Sequence, residues 1–340
     1  MGSPRLYWGV SPPVTRVNAH ANPRIPFNGL WTSSTIGCSF RATRNGRRWP
    51  VTRWIAAFAL VLLTACASGG TPSGSAPPTI DKPAKDDALA ALVPPRVAQS
   101  GKLRVGSNVQ NPPNNFYAED GKTPIGSEVD LITAVAAKLG LVAEHQDMAF
   151  SSLITSLQAG RIDVTMAAMN DTAERQQKID FVDYFTSGIT IMVRKGNPDG
   201  IKAPQDLCGK AVAVNLGSSQ EQYAKTFPCP TGSIEVTATD SDTQNQNQLR
   251  TGRVAAILND LPTAVYVAKT AGDGKFFEVV DAAPINGGPY GIGVDKSTPE
   301  LATAIQKALQ ALIDDGTYGK IMDKWGVTQG AITKATVNGR

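Results

Sequence analysis

Residues 150–185 read FSSLITSLQAGRIDVTMAAMNDTAERQQKIDFVDYF, and this stretch sets the architecture. Ser152–Leu157 has the character of a short helix, which Ala159-Gly160 ends. Asp163–Ala168 (DVTMAA) follows as a buried strand. The same alternation continues on both sides. Lys102–Gly106 (KLRVG) alternates apolar and polar residues as a strand does, and Glu128–Leu139 carries Leu131, Val135 and Leu139 four apart, as a helix does. Ala211–Val214 and Val254–Leu258 are two further strands. Leu301, Ala304, Ile305, Ala308, Leu309 and Leu312 form an apolar stripe at helical spacing, which Asp315-Gly316 stops. Strands that alternate with helices predict an α/β architecture with largely parallel sheets. No internal repeat is found.

Polar residues collect at the strand ends. Ser107 and Asn108 follow the first strand, and Asn170, Thr172 and Arg175 follow Asp163–Ala168. Gly217-Ser218-Ser219-Gln220 follows Ala211–Val214, and Asn259-Asp260 follows Val254–Leu258. In open α/β sheets a ligand binds in the crevice outside the carboxyl ends of the strands. Arg175 offers a planar, permanently charged fork suited to a carboxylate, or it is a surface arginine paired with Glu174 or Asp171. The Gly217-Ser218-Ser219 turn opens a helix whose N–H groups and hydroxyls suit an anion; alternatively its serine is a plain N-cap. Asp260 accepts a ligand ammonium, or caps the helix that begins at Pro262. Together these groups complement a zwitterionic α-amino acid. Phe116 and Phe150 are candidate apolar walls, with ordinary core packing as the alternative.

Composition narrows the classes. Two histidines (His20, His145) and four cysteines leave little for a His/Cys metal centre or a His-based triad, so no metal, cofactor or catalytic residue is assigned. The net charge of +4 is misleading: residues 1–65 hold eight arginines and neither lysine nor acid. Removing those eight from 33 basic residues leaves 25 against 29 acids, so the body is mildly acidic. Nucleic-acid binding, which wants a basic body, is disfavoured. Arg41, Arg44, Arg47, Arg48 and Arg53 precede the apolar run Trp54–Ala65, which is too short to span a bilayer. This is the pattern of a secretory signal. Residues 1–50 are long for its basic region, and a start at Val51 would shorten it. Leu63-Thr64-Ala65-Cys66 resembles the bacterial lipobox, which implies lipidation of Cys66; an ordinary signal with a chance cysteine is the alternative. The segment 66–88, rich in Gly, Ser and Pro, reads as a flexible tether. Export places Cys208 and Cys229 in an oxidising compartment, where a bridge is favoured over two free buried thiols.

From Leu89 to Val327 the chain resembles the bacterial extracellular solute-binding proteins of family 3, which serve polar amino acid ABC transporters. The likeness rests on Gly126-Ser127-Glu128-Val129-Asp130-Leu131, on the 150–185 stretch, and on the Val214–Gln220 turn. Ser127 departs from the family's usual aromatic residue, and Phe185 stands near its usual Pro-Tyr. The resemblance implies two α/β lobes of the type II periplasmic-binding fold, joined by crossing strands at Ile189–Arg194 and Tyr290–Val294. Residues 89–188 plus 295–330 then form lobe 1, 189–294 the hinge strands and lobe 2, and 331–340 a polar tail. It implies that Arg175 grips the ligand carboxylate with Ser219, and that Thr172, Ser218 and Gln220 lie beside them. Asp260 takes the α-ammonium, helped by the Ala168 carbonyl and the Asn170 side chain, and Phe150 packs on the ligand. Asn108 falls where some members carry an acid that reads a basic side chain, and Asn111 near a usual tyrosine. With Asn108 and Asn170 where charge could stand, a neutral or amide-bearing ligand is expected. The implied partners are an amino acid, a permease with its ATPase, and the outer face of the cytoplasmic membrane; a monomer is expected. A periplasmic dehydratase-like enzyme on the same fold is the rival, with Glu128, Asp130 and Asp171 as the acids on offer.

Overall fold

The structure is a computed structural model that describes residues 80–340. The leader and signal (1–65), Cys66 with its lipobox, and tether residues 66–79 lie outside the described residues. The chain enters through helices α1 (Asp87–Ala90) and α2 (Pro95–Ser100), then strands β1 (Lys102–Ser107), β2 (Phe116–Tyr117) and β3 (Pro124–Ile125). Helix α3 (Ser127–Lys138), β4 (Val142–Asp147), α4 (Leu153–Gln158), β5 (Val164–Thr165) and α5 (Ala173–Gln176) follow. The long strand β6 (Ile179–Arg194) leads to β7 (Ala211–Asn215), α6 (Ser219–Thr226), β8 (Glu235–Thr239), α7 (Asp242–Arg250) and β9 (Ala256–Asp260). Helix α8 (Leu261–Thr270), β10 (Phe277–Val279) and β11 (Ile285–Asp295) come next, then α9 (Pro299–Asp314), α10 (Thr317–Lys324) and β12 (Thr336–Val337).

The main sheet runs β4-β1-β5-β11-β6-β9-β7-β8. Its two flanks are parallel, β1 with β4 and β5, and β7 with β8 and β9. The expectation of a largely parallel sheet needs correction at the centre. There β11 pairs antiparallel with β5 and β6, and β6 antiparallel with β9. These two strands carry the chain between halves, so they extend well beyond the six- and five-residue crossings read from the sequence. The register of β6 with β11 shifts between Ile285 and Gly288, near the middle of β6.

Each flank has its own core, which makes two α/β lobes. One core joins residues from Val93–Phe185 with residues from Tyr290–Ala335, and a satellite at Leu153, Leu157 and Phe181 extends it. The other two clusters use only residues between Ile189 and Ile285. The α9 stripe read from the sequence is fully buried: Leu301, Ala304, Ile305, Ala308, Leu309 and Leu312 are all 0–1% exposed. Burying a leucine or isoleucine side chain contributes about 1.5–3 kcal/mol, so this face is a main anchor of the first lobe. A bridge joins Cys208 to Cys229 across 21 residues.

Both ends of the described stretch pack onto the first lobe. Ile80 packs against the first core, and the Asp86 N–H donates to Lys138 O. Residues 331–340, read from the sequence as a short polar tail, are tied to the first lobe. Ala335 is buried, β12 pairs with Asp183 and Val182 of β6, and Asp183 accepts from Thr336 Oγ1 (2.9 Å) and Gly339 N (2.8 Å). The alternation in this segment is too short to announce a strand, and an acid on β6 supplies what holds it.

Candidate functional site

The lobes meet at the carboxyl ends of β1, β7 and β9 and at the loop after β5. A narrow cavity lies between them. Its lining includes Asn108, Phe150, Ala168, Asn170, Ser218, Gln220 and Asp260, all anticipated from the sequence. A second, more open recess adjoins it and carries Thr172, Arg175, Gly217 and Ser219, with Phe150 and Ser218 common to both. Arg175 and Asp260 therefore stand on adjoining recesses rather than in one chamber.

Arg175 sits in the short helix α5, whose N-cap is Thr172; the Thr172 hydroxyl accepts from Arg175 N at 3.2 Å. Thr172 thus serves the helix start. Arg175 as a whole is 9% exposed. Its guanidinium donates to Asn170 O (2.9 Å) in its own lobe and to Gly217 O (3.1 Å) in the other, and lies 5.5 Å from the Phe150 ring centre. Burial pushes its pKa down to about 10, and the Asp260, Glu174 and Asp171 charges pull the other way. The alternative of a surface ion pair with Glu174 or Asp171 does not hold, because the side chain is buried and bonds to carbonyl oxygens.

The turn before α6 needs Gly217. Its φ is +76°, and a Cβ there would come within 3.3 Å of Ser151 Cα from the opposite lobe. Ser218 is the N-cap: its hydroxyl accepts from Glu221 N (3.1 Å) and donates to Asn215 O (2.6 Å). That leaves the first-turn N–H groups of Ser219 and Gln220 as the turn's anion donors. Ser219 Oγ donates to Asn170 Oδ1 across the cleft at 2.6 Å.

Asp260 stands at the N-cap position of α8, yet its side chain makes no cap bond, so the capping alternative fails. It is 6% exposed, and its Oδ1 is buried without a hydrogen-bond partner. Burial pushes its pKa up to about 7, against the polar side chains of Tyr290 and Gln220 and the charge of Arg175; the Glu128 charge adds to the rise. An acid left short of a partner in a cavity wall suits a cation brought by a ligand.

Ala168 faces the same cavity with φ of +49°, a left-handed conformation that costs an alanine energy. Glu128 holds it there: its Oε1 accepts from Ala168 N at 2.7 Å and from the Tyr184 hydroxyl, and its Oε2 from the Asn115 amide. Burial raises the Glu128 pKa, and those three donors oppose the rise. Gly126, just before α3, has φ of +138° and room for no side chain: a Cβ would lie 2.0 Å from Asn114 O.

Phe116 needs correction. It does not line the cavity. The β2–β3 hairpin turns its ring onto Tyr266 (5.8 Å) and Trp325 (5.9 Å), an aromatic cluster away from the site. Asn111, Asn215, Asp242, Asn245, Ile257, Leu258 and Asn259 also line the cavity; of these, only Asn111 and Asn259 were singled out in the sequence. Among the described residues, and apart from those of the central strands, six hydrogen bonds cross between the lobes. Two are those from Arg175 to Gly217 O and from Ser219 to Asn170. Gln110 donates to Asp240 O (2.7 Å) and accepts from Asp242 N (2.9 Å). Ser151 donates to Asp240 Oδ1 (3.0 Å) and Thr263 to Asn111 Oδ1 (2.8 Å). Among the described residues no group of three or more His, Cys, Asp or Glu is arranged to hold a metal ion.

Two lobes that close over adjoining polar recesses, one carrying the buried cation of Arg175 and the other the carboxylate of Asp260 with its partnerless Oδ1, define a binding protein for a small charged guest. Residues 103–328 match the family model for bacterial extracellular solute-binding proteins, family 3, and the chain belongs to that family. It is similar to the arginine-binding protein ArgT of Corynebacterium glutamicum, 30% identical over 74% of this chain and 82% of the relative. It is similar to the L-cystine-binding protein TcyJ of Escherichia coli K12, 32% identical over 68% of this chain and 84% of the relative. Among solved structures, an ancestral arginine-binding protein bound to arginine superposes with a TM-score of 0.62 at 39% identity, covering 66% of this chain and 98% of that one.

Proposed function

We propose that this chain captures a polar α-amino acid between its lobes and delivers it to the permease of an ABC transporter, with no catalysis of its own. The observation that carries the reading is the pairing of buried Arg175 with partner-short Asp260, on either side of the shared Phe150–Ser218 wall. One end suits a carboxylate and the other an ammonium. Relatives named for arginine and for L-cystine support the same common feature, since both ligands share the α-amino acid end. The lobes of this reading are residues 89–188 plus 295–330 against 189–294, a division that the separate cores on either side of the central strands support. A ligand touching both shifts the protein toward closure by its differential affinity, which gives a permease a loaded form to recognise.

We further propose that the exported chain is a monomer held by lipid on Cys66 to the outer face of the cytoplasmic membrane. Cys66→Ala should release it to the soluble fraction, and unchanged membrane retention would count against the anchor. The enzyme reading gains little from its candidate acids. Glu128 is locked by three donors, Asp130 is bound by Lys324 and Trp325, and Asp171 by Gln176. None of the three lines the cavity.

The decisive experiment is a thermal-shift screen of the chain against the common amino acids. A ligand at about 100 times its dissociation constant adds roughly 2.7 kcal/mol, a readily seen rise in melting temperature. A shift with one or a few amino acids, recovered chemically unchanged, supports the reading; no shift with any of them ends it.

A further inference from the structure

The cavity holds a second carboxylate that the zwitterion scheme does not use. Asp242 is the first residue of α7, 5% exposed, and lines the same chamber as Asp260. Its Oδ2 accepts from Gln246 Nε2 (2.6 Å) and its Oδ1 receives a long contact from Asn259 Nδ2 (3.4 Å). An ionised carboxylate accepts about four hydrogen bonds, so about half its capacity is left. Among the described residues that line this chamber there is no lysine or arginine. The surroundings are rich in acceptors: Asn215 Oδ1 is buried with no partner, and Asn108 commits its amide N–H to Met148 O. An acid that remains buried without a protein cation wants one from the guest.

We infer that Asp242 holds the distal cation of a basic amino acid, while Asp260 holds its α-ammonium. This rests on the amino acid reading above and reverses the sequence expectation of a neutral or amide-bearing ligand. Asn108 stands where some relatives of the resembling family have an acid; here the acid comes from the opposite lobe, on α7. Its place is tied to closure, because the Asp242 N–H donates to Gln110 of the first lobe. A guest whose far end is a lone carboxylate, such as an acidic amino acid, would meet Asp242 and asparagine oxygens with no cation in the lining to pair it. Burial pushes the Asp242 pKa up to about 6, opposed by Gln246. It is therefore mostly ionised near neutral pH and ready for a cation.

Titration calorimetry of the full chain in detergent, with L-arginine, L-lysine, L-citrulline and L-glutamine as probes, tests the inference. Citrulline keeps arginine's shape without its charge. Wild type should bind arginine or lysine about 30-fold or more tighter than citrulline and glutamine, and Asp242→Asn should remove most of that margin while changing citrulline binding by less than about threefold. Retained citrulline binding shows that the variant is folded. Asp242→Glu, which keeps the charge, should keep the preference for cations. Wild type that binds citrulline or glutamine as tightly as the cations overturns the inference and leaves the amino acid reading standing, as does an Asp242→Asn variant with its cation preference intact. Binding of none of the four overturns the inference, and the screen against the common amino acids then decides the amino acid reading.

Discussion

Arg175 makes no ion pair among the described residues; its guanidinium is held by two carbonyl oxygens from opposite lobes. A buried cation served only by neutral groups adds little to stability, because desolvation offsets what the hydrogen bonds give. Arg175→Ala should therefore leave the melting temperature of the protein nearly unchanged without added ligand, yet weaken amino acid binding by about 2–5 kcal/mol. Calorimetry and thermal melts together separate the two effects. Arg175→Lys should recover only part of the affinity, since a point charge cannot make the paired bonds of the planar fork. Glu128 has the opposite character. It accepts from Ala168 N, Tyr184 and Asn115 at once, so Glu128→Ala strands three buried donors. The expected loss is about 2–4 kcal/mol in urea unfolding. Glu128→Gln, which keeps an acceptor oxygen for Ala168, should lose less.

At the scale of elements, the Cys208–Cys229 bridge closes a 21-residue separation in the second lobe, around β7 and α6. Replacing both cysteines with serine should lower stability by on the order of 3 kcal/mol in urea unfolding, and an unchanged midpoint would show that the bridge does not hold this lobe. Helices α3, α4 and α9 and strands β1, β7 and β9 were legible in the sequence because their buried faces repeat at 3.6 or 2 residues. Short or half-exposed elements, among them α7, α10, β4 and β12, were not read, and two places bear on the site. The strand expected over Asp163–Ala168 shrinks to Val164–Thr165, because Ala168 leaves extended geometry at φ +49°. Strand β8 (EVTAT) went unread because it is five residues long at the sheet edge, and its two alternating apolar residues, Val236 and Ala238, are only partly buried against the second core. Missing β8 hid its strand end, where Asp240 and Asp242 stand. Asp242 was thus concealed by an edge strand rather than by an unusual residue. Phe116 was misplaced for another reason: the two-residue strand that carries it has no periodicity to show which way its ring faces.

For the whole molecule, buried acids set a pH dependence of definite sign. Burial pushes Asp260 up to about 7, and Asp183 and Asp242 up to about 6. In the unfolded chain an aspartate titrates near about 3.9. Between these values the folded protein binds more protons than the unfolded one, so stability falls as pH rises through that window. Urea unfolding without added amino acid should show a more stable protein near pH 5 than near pH 8, by roughly 2–4 kcal/mol. Asp260→Asn should flatten the slope. A saturating amino acid should flatten it too, because a bound ammonium stabilises the ionised form of Asp260. For the same reason affinity should rise with pH up to about 7.

The first lobe's core joins residues before Phe185 to residues after Tyr290. On a ribosome that lobe cannot complete itself until the last 50 or so residues of the 340 have been made. Helix α9 and strand β11, which seal it, arrive after the whole second lobe has been synthesised. Contacts so distant along the chain close slowly. A nascent chain that stays open until its final segment emerges suits a protein that must be threaded through a narrow pore before it compacts. A chain stopped before Ile285 should remain open to proteolysis throughout residues 89–188, whereas the finished protein should resist.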